Sequence, residues 1–445
     1  MDRPNIILIV ADTMRRDAIG IYNKNVSTPN IDALARDSMI YNNAISPSSW
    51  TVPSHASIFT GKYAIEHGLH ETFDKKGFGL MGKMNDVKYE TIAKKLLNIG
   101  YNTIGMASNP YLTPGSGFDR GFNTFGYYPT TYFKDVLKDK FTILNKREII
   151  DEKTRFREFF HFAFKNGIRD TIEIIELYRL YRNKNITFPK TIRSPYNKGG
   201  FNIINNIENI SIKEPFFLFI NFMEMHDPYI NFKKEPDSMQ NLILSIKNNE
   251  RILGKIRNRY YSQASLLDTL LGKLIRFLKS NNIYENTIIF FTSDHGQSMN
   301  KEFYGHGNLL TDDLIRVPLI IKDLDGKKGT IDTVISTTSV FDMITKFSNS
   351  ENYVNFPNIA FSEAYGFQND EALKYKNRIE KYRIAIFKDN YKLSIASNME
   401  IDEFTYNGRA IDISTKKHEV DSLLEEIDIF LGNRKERLIY NNYQP

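Results

Sequence analysis

Three short stretches carry side chains that can do chemistry together. In Asp294-His295-Gly296 a carboxylate oxygen and an imidazole nitrogen stand side by side, a pairing suited to Zn²⁺, Mn²⁺ or a related ion. Asp12 follows the apolar run Asn5–Ala11 and offers a second carboxylate, a hard oxygen ligand for a divalent cation. Thr51 stands just ahead of Pro53 and Ser54, and a small-residue, apolar run continues to Gly61. Pro53 suits the first turn of a helix and Ser54 its cap, so Thr51 is expected at the helix mouth. Backbone N–H groups and the positive end of the helix dipole converge there, which favours an anionic substrate over a hydroxyl. Each stretch also has a plainer reading, as a residue ending a strand or as an ordinary capped helix.

The elements that must position these residues are legible as apolar runs. Residues 5–11, 215–222 and 287–292 are almost unbroken hydrophobic segments, as expected for strands buried on both faces of a sheet, and 101–107 reads as a further strand. Asp12 and Asp294 lie at the C-terminal ends of two of them, where open α/β sheets hold their ligands. Residues 39–44 read as a short strand leading into the Thr51 turn, and 316–321 as a further strand. Helical periodicity marks residues 90–98, with Gly100 as a terminator, and a long helix over about 256–281 whose leucines are core residues. After about residue 345 the pattern turns to short alternating strands. A hairpin around Lys388-Asp389 is followed by a helix over 418–431.

Bulk properties narrow the function classes. A chain of 445 residues with 41% hydrophobic and 25% charged residues has ordinary globular composition. The 59 Lys and Arg against 53 Asp and Glu leave +6, too weak a balance to argue for a nucleic-acid partner. With no cysteine, disulfides and thiolate zinc sites are excluded. The apolar run at the N-terminus is too short for a signal peptide, and no stretch approaches the roughly 18 apolar residues of a membrane span. A cytoplasmic protein without a transmembrane segment is therefore expected.

Taken together the three stretches resemble the sulfatase branch of the alkaline phosphatase superfamily. The family's nucleophile motif reads Cys-x-Pro-Ser-Arg, with the Cys oxidised to formylglycine; the same register here reads Thr51-Val52-Pro53-Ser54-His55. The segment Glu224-Met225-His226-Asp227-Pro228-Tyr229 is similar to the family's His-x-Pro-Tyr motif, and in Tyr304-Gly305-His306-Gly307 the histidine lies near where the family places a Lys that contacts the substrate and leaving group. The resemblance implies a large mixed, mostly parallel α/β sheet flanked by helices, alkaline-phosphatase-like, with a small C-terminal α+β subdomain. The boundary is expected near residue 345, giving a catalytic domain over 1–345 and a subdomain over 346–445.

The resemblance also implies roles. Asp12, Asp294 and His295 would hold a divalent metal ion (Mn, Zn, Mg or Ca), with the Thr51 oxygen as a further ligand and Thr51 as the nucleophile. His55 takes the family's Arg position beside it. His226 would contact the oxygens of the ester, His306 would act as general acid or ligate a second metal, and Asn109 would donate a hydrogen bond to the anionic group. The departures are chemical. Thr13 stands where sulfatases carry a second acid, and Ser108-Asn109-Pro110-Tyr111 lacks the family's Lys and His. Asp-His at 294–295 is more typical of the phosphoesterases and phosphonate monoester hydrolases of the superfamily than of calcium sulfatases.

The family pattern disappears over about 130–200. Residues 131–200 hold 16 Lys and Arg against 9 Asp and Glu, read as a basic helical insertion that either packs on the main body or meets an acidic partner. The expected activity is a sulfatase-family, metal-dependent hydrolysis of sulfate or phosphate esters. A phosphodiesterase or phosphotransferase of the same superfamily is the nearest alternative, and a pseudoenzyme that binds anionic glycans is the second. The implied partner is a small anionic ester, such as a sulfated or phosphorylated glycan or lipid headgroup.

Overall fold

The computed structural model describes residues 3–74, 77–81, 84–128, 198–210, 212–227, 229, 250–300, 303–307, 309–351, 356–364 and 382–434. The expected basic insertion lies outside the described residues except for its end at 198–200.

Asn5–Ala11 is the strand around which the sheet is built. Every one of its residues is buried, because parallel neighbours flank it on both sides: Phe216–Phe222, with Ile9 opposite Ile220, and Thr287–Thr292, with Ile9 opposite Phe291. Beyond Phe216–Phe222 come Asn102–Ala107 and Thr124–Tyr127, both parallel to it. On the other side Leu319–Lys322 runs antiparallel between Thr287–Thr292 and Met39–Ile45. Met39–Ile45 also pairs with Arg316–Val317 and, in parallel, with Gly329–Ser336, completing a nine-stranded sheet. The strand expected over 316–321 is thus two pieces, interrupted at Pro318, which has no N–H to give to a ladder.

Alternation along Asn5–Ala11 divides the core. Ile7, Ile9 and Ala11 face the layer containing the long helix Glu250–Ser280, through Leu267, Leu270, Leu271, Leu274 and Leu278. Ile6, Leu8 and Val10 face the opposite layer, where Val52, Ala56 and Phe59 of Thr51–Thr60 meet Ile92 and Leu96 of Ile92–Asn98. At about 1.5–3 kcal/mol for each fully buried large aliphatic side chain, these two layers clamp the central strands. The polar residues at the strand ends therefore keep fixed positions.

A separate antiparallel sheet comprises Ile359–Ala364, Arg383–Lys388, Tyr391–Ala396, Glu400–Tyr406 and Arg409–Ala410. The helix Lys417–Leu431 packs Val420, Leu423, Ile427 and Leu431 against it. The hairpin turn falls one residue later than expected, at Asp389-Asn390, whose φ of 48° and 69° are those of a primed two-residue turn matched to strand twist. Ile45 and Leu314 of the main body pack with Ala385 and Phe387 of this sheet.

Candidate active site

Five strands end at one edge of the sheet and deliver the site. Asp12 follows Asn5–Ala11, and its N–H donates to Phe222 O at 2.8 Å. Asp294 and His295 follow Thr287–Thr292, Asn109 follows Asn102–Ala107, and His226 follows Phe216–Phe222. Thr51 comes from the end of Met39–Ile45, a strand that points the same way because two antiparallel steps separate it from Thr287–Thr292.

Thr51 is the first residue of its helix, with extended Trp50 as the N-cap. The helix begins earlier than the positions of Pro53 and Ser54 suggest. Ser54 is not its cap; its hydroxyl donates to Ser48 O at 2.9 Å and ties the helix to the preceding loop. All ten residues of the helix are buried, so the N–H groups that its first turn leaves without helical partners are shielded from bulk solvent.

Ligand atoms of Asp12, Asp294 and His295 all lie within 4.8 Å of one another, and the three side chains are fully buried. Asp294 Oδ1 accepts from the backbone N–H groups of Thr13 and His295 at 3.1 and 2.9 Å. Asp294 Oδ2 and Asp12 Oδ1 have no hydrogen-bond partner. Burial, and for Asp12 the neighbouring Asp294, raise both carboxyl groups above their ordinary range. Two buried, converging carboxylates with free oxygens are unfavourable by themselves and match a cation. His295 completes the donor set. Its Nδ1 donates to Gly296 O at 2.8 Å, which leaves the Nε2 lone pair facing Thr51 Oγ1 at 3.3 Å. Burial lowers its pKa to about 4, so the ring is neutral at pH 7, as a metal ligand must be. The residues thus fit a divalent ion.

Thr13 contributes through its backbone. Its φ of 57° is strained for a β-branched residue, by an order of 1–3 kcal/mol. The N–H contact to Asp294 and a hydrogen bond from Tyr260 Oη to Thr13 O at 2.9 Å accompany that geometry.

Asn109 is committed to one of these carboxylates. Its Nδ2 donates to Asp12 Oδ2 at 2.6 Å and lies 3.5 Å from Thr51 Oγ1, while Oδ1 accepts from Tyr111 N at 2.9 Å. Its expected hydrogen bond to substrate thus competes with one that orients a ligand. His55 Nδ1 donates to the Thr51 backbone carbonyl at 2.9 Å and lies 3.5 Å from Asp294 Oδ2. The ring sits among Phe59, Phe118 and Phe219, at centroid distances of 6.4, 6.4 and 6.1 Å. Its Nε2 has no partner, and no hydrogen bond joins it to the Thr51 hydroxyl.

His226 and His306 approach from the open side. The His306 ring centroid is 5.0 Å from that of His226 and 4.8 Å from that of His295. Burial alone would lower the His226 pKa, but Asp227, 2.7 Å from Nδ1, raises it to about 9. His226 is therefore a cation at neutral pH, with Nε2–H available. His306 is the opposite case. Burial and the two neighbouring histidines hold it well below its ordinary pKa, and Nδ1 donates to Gln297 Oε1 at 2.8 Å. It is neutral and presents a lone pair at Nε2, so it must take up a proton before it can act as the expected acid.

Lys198 was not singled out by its sequence. It is 3% exposed, and its Nζ donates to Glu224 O at 3.4 Å and to His226 O. Burial lowers its pKa to about 8, against Asp227, Glu224 and Asp12. Nothing in its sequence surroundings flagged it. Asp227 had a signal, its place beside His226. His67, outside the cluster, has Nε2 2.9 Å from Ser57 Oγ.

The Sulfatase family model matches residues 4–350. An arylsulfatase of Clostridium perfringens is 23% identical over 383 residues, covering 78% of this chain and 75% of its own length. An ulvan-active sulfatase of Formosa agariphila is 24% identical over 364 residues, 78% of this chain and 62% of its own. Among solved structures, a 2-O GAG sulfatase superposes with TM-score 0.66 at 14% identity, over 98% of this chain and 93% of that one. The phosphonate monoester hydrolase of Agrobacterium radiobacter gives 0.62 at 16%, over 98% and 96%. These structural likenesses establish the alkaline-phosphatase-like fold.

Proposed function

Since the chain belongs to the sulfatase family of ester-bond hydrolases, we propose that it is a divalent-metal-dependent hydrolase of sulfate or phosphorus esters with Thr51 as its nucleophile. The observation that carries this reading is the buried meeting of Thr51 Oγ1 with His295 Nε2 at 3.3 Å, beside the converging carboxylates of Asp12 and Asp294. A cation held by Asp12, Asp294 and His295 would lower the hydroxyl pKa and neutralise the ester. Thr51 Oγ1 gives up its proton to solvent and bonds to the sulfur or phosphorus as the bond to the ester oxygen breaks. The departing oxygen takes the Nε2 proton of His226, which Asp227 keeps charged. Helix N–H groups stabilise the anion in flight. Water then cleaves the Thr51 adduct and returns the proton that Thr51 lost. Neutral His306 suits the base of that second step.

Thr51 and His295 favour phosphorus over sulfur. A formylglycine hydrate expels sulfate by hemiacetal collapse, whereas a sulfated threonine must be hydrolysed directly. A phosphodiesterase or phosphotransferase is therefore the second reading. The names of relatives such as the ulvan-active sulfatase support an anionic glycan ester as substrate. In this reading residues 1–345 form the catalytic part and 346–445 a smaller C-terminal unit.

The test is turnover of aryl sulfate, phosphate monoester, phosphodiester and phosphonate ester after loading with Mn²⁺, Zn²⁺, Mg²⁺ or Ca²⁺, beside Thr51→Ala. Metal-dependent activity that disappears in the variant supports the nucleophile, and the preferred ester decides between sulfur and phosphorus. A folded, metal-loaded protein that turns over none of the four would instead be a binding relic.

A further inference from the structure

A cavity of about 470 Å³ lies between the Arg15–Asp17 turn, the edge of the main sheet and the turns of the C-terminal sheet. It is separate from the metal cluster but shares a wall with it. A Cβ on Gly296, the residue after His295, would meet Asp313 O at 2.1 Å and Arg15 Cγ at 3.2 Å, and Arg15 and Asp313 both line the cavity. Its volume is that of a small-molecule site.

Three arginines line it, and they differ in how their charge is met. Arg15 forms two hydrogen bonds to the Asp17 carboxylate, at 2.8 and 2.6 Å. Arg316 donates Nε to Asp312 Oδ2 at 2.6 Å and Nη1 to Asn43 Oδ1 at 2.8 Å. The other oxygen of Asp312 accepts from Lys392 Nζ at 2.8 Å. Asp313 lies 3.9 Å from Arg15 Nη1. Each lining carboxylate thus already has a cation. Arg16 has no close ion pair among the described residues: its guanidinium donates to Asn42 O and stacks 5.2 Å from the Tyr22 ring, and Asp312 and Asp17, each already paired, act on it only through space. Burial and the like charge of Arg316 disfavour its cation, so an arriving anion would relieve both. Around this charge stand the amides of Asn390 and Asn407 and the ring of Tyr391, groups suited to hydroxyls and to the face of a sugar.

We propose that this cavity is a second oxyanion site, in which Arg16, with Arg316 beside it, binds a carboxylate, sulfate or phosphate group. The group is either a further anionic substituent of the ester being hydrolysed or a free anion. The substrate form rests on the hydrolase reading above and makes the substrate a saccharide with at least two negative charges.

The probes are inorganic sulfate, p-nitrophenyl sulfate and glucosamine-2-N,6-O-disulfate, titrated calorimetrically into metal-loaded full-length protein carrying Thr51→Ala. Adding Arg16→Gln is expected to weaken the disulfate by about tenfold or more, the worth of one charge-assisted hydrogen bond. Binding of p-nitrophenyl sulfate should stay within about twofold, and Arg16→Lys should recover part of the loss. Disulfate displaced by p-nitrophenyl sulfate identifies the substrate's own second group. Inorganic sulfate that depends on Arg16 and is not displaced by p-nitrophenyl sulfate identifies a free-anion site. Unchanged affinities for all three probes in a folded Arg16→Gln protein, or equal weakening of the singly and doubly charged esters, would overturn the proposal. Failure of the wild type to hydrolyse any ester would remove the hydrolase reading alone, since the inorganic sulfate arm needs no turnover.

Discussion

Thr51 Oγ1 lies 3.3 Å from Nε2 of His295, and it meets the lone pair of that ring because Nδ1 is occupied by Gly296 O at 2.8 Å. The backbone of one residue thus selects the tautomer, and the tautomer turns an acceptor toward the hydroxyl. The hydroxyl thus meets an acceptor in a buried setting.

The first prediction concerns that hydroxyl. Thr51→Ala should lower kcat by about a thousandfold or more, as loss of a nucleophile does, while Thr51→Ser should retain measurable turnover. Mass spectrometry of protein quenched during turnover should find the sulfate or phosphate adduct on Thr51. A covalent label on any other residue would refute the assignment.

Removing a carboxylate should separate stability from metal binding. At neutral pH Asp12 and Asp294 are buried against one another with raised pKa. Their ionisation in the folded state is thus unfavourable, and stability without metal falls as pH rises above the unfolded value of 3.8. Asp294→Asn keeps an oxygen for the two backbone N–H groups, so in chelator its melting temperature should rise above that of the wild type. Metal should stabilise the wild type by about 2.7 kcal/mol at a hundredfold excess over Kd, and the variant much less. A variant that melts lower in chelator and still gains fully from metal would contradict the ligand assignment.

The activity of the loaded enzyme should have an alkaline limb set by His226. Its pKa is raised to about 9, so the cation is present below that pH and is lost as pH climbs through it. Asp227→Asn removes the carboxylate responsible and should move the limb toward the ordinary histidine value, a shift to lower pH. A pH–rate profile unmoved by this substitution would take the proton-donor role from His226.

Asn109→Ala should weaken metal binding about 10- to 100-fold, the range for partners that orient a ligand, because Nδ2 holds Asp12 Oδ2 at 2.6 Å. Equilibrium dialysis measures it directly. Unchanged metal affinity with a raised KM would return Asn109 to the substrate contact that its sequence position suggests.

Lys198→Met keeps the volume but removes the donor to Glu224 O and His226 O. A lower kcat with the alkaline limb unchanged, and a loss of about 1–3 kcal/mol of stability, is the expected result. It is read by kinetics and thermal melting together. Full activity would mean that the His226 loop holds its position without this cation.

The strands that carry the site were legible in the chain alone. Asn5–Ala11 and Thr287–Thr292 are hydrophobic throughout because both faces are buried, and a polar residue ending such a run can only emerge at the sheet edge. Asp12, Asp294 and His295 were therefore identifiable as a potential ligand set before any contact was known. Local chemistry misled where packing prevails. Pro53 and Ser54 suggested a later helix start than Thr51, yet burial of the whole segment and the Ser54–Ser48 tether fix the earlier one. Only the tertiary structure decided which atoms face which. It engaged Asn109 with Asp12, enclosed His55 among phenylalanines, and gave His226 and His306 opposite charge states, the first through Asp227 and the second through burial beside two histidines. It also brought Lys198 beneath the His226 loop and left Arg16, among the described residues, without a close ion pair in a cavity lined from both sheets. Residue type and hydrophobic period are local properties of a chain. Tautomer, protonation and pairing depend on neighbours that lie hundreds of residues away in sequence and meet only when the strand ends converge.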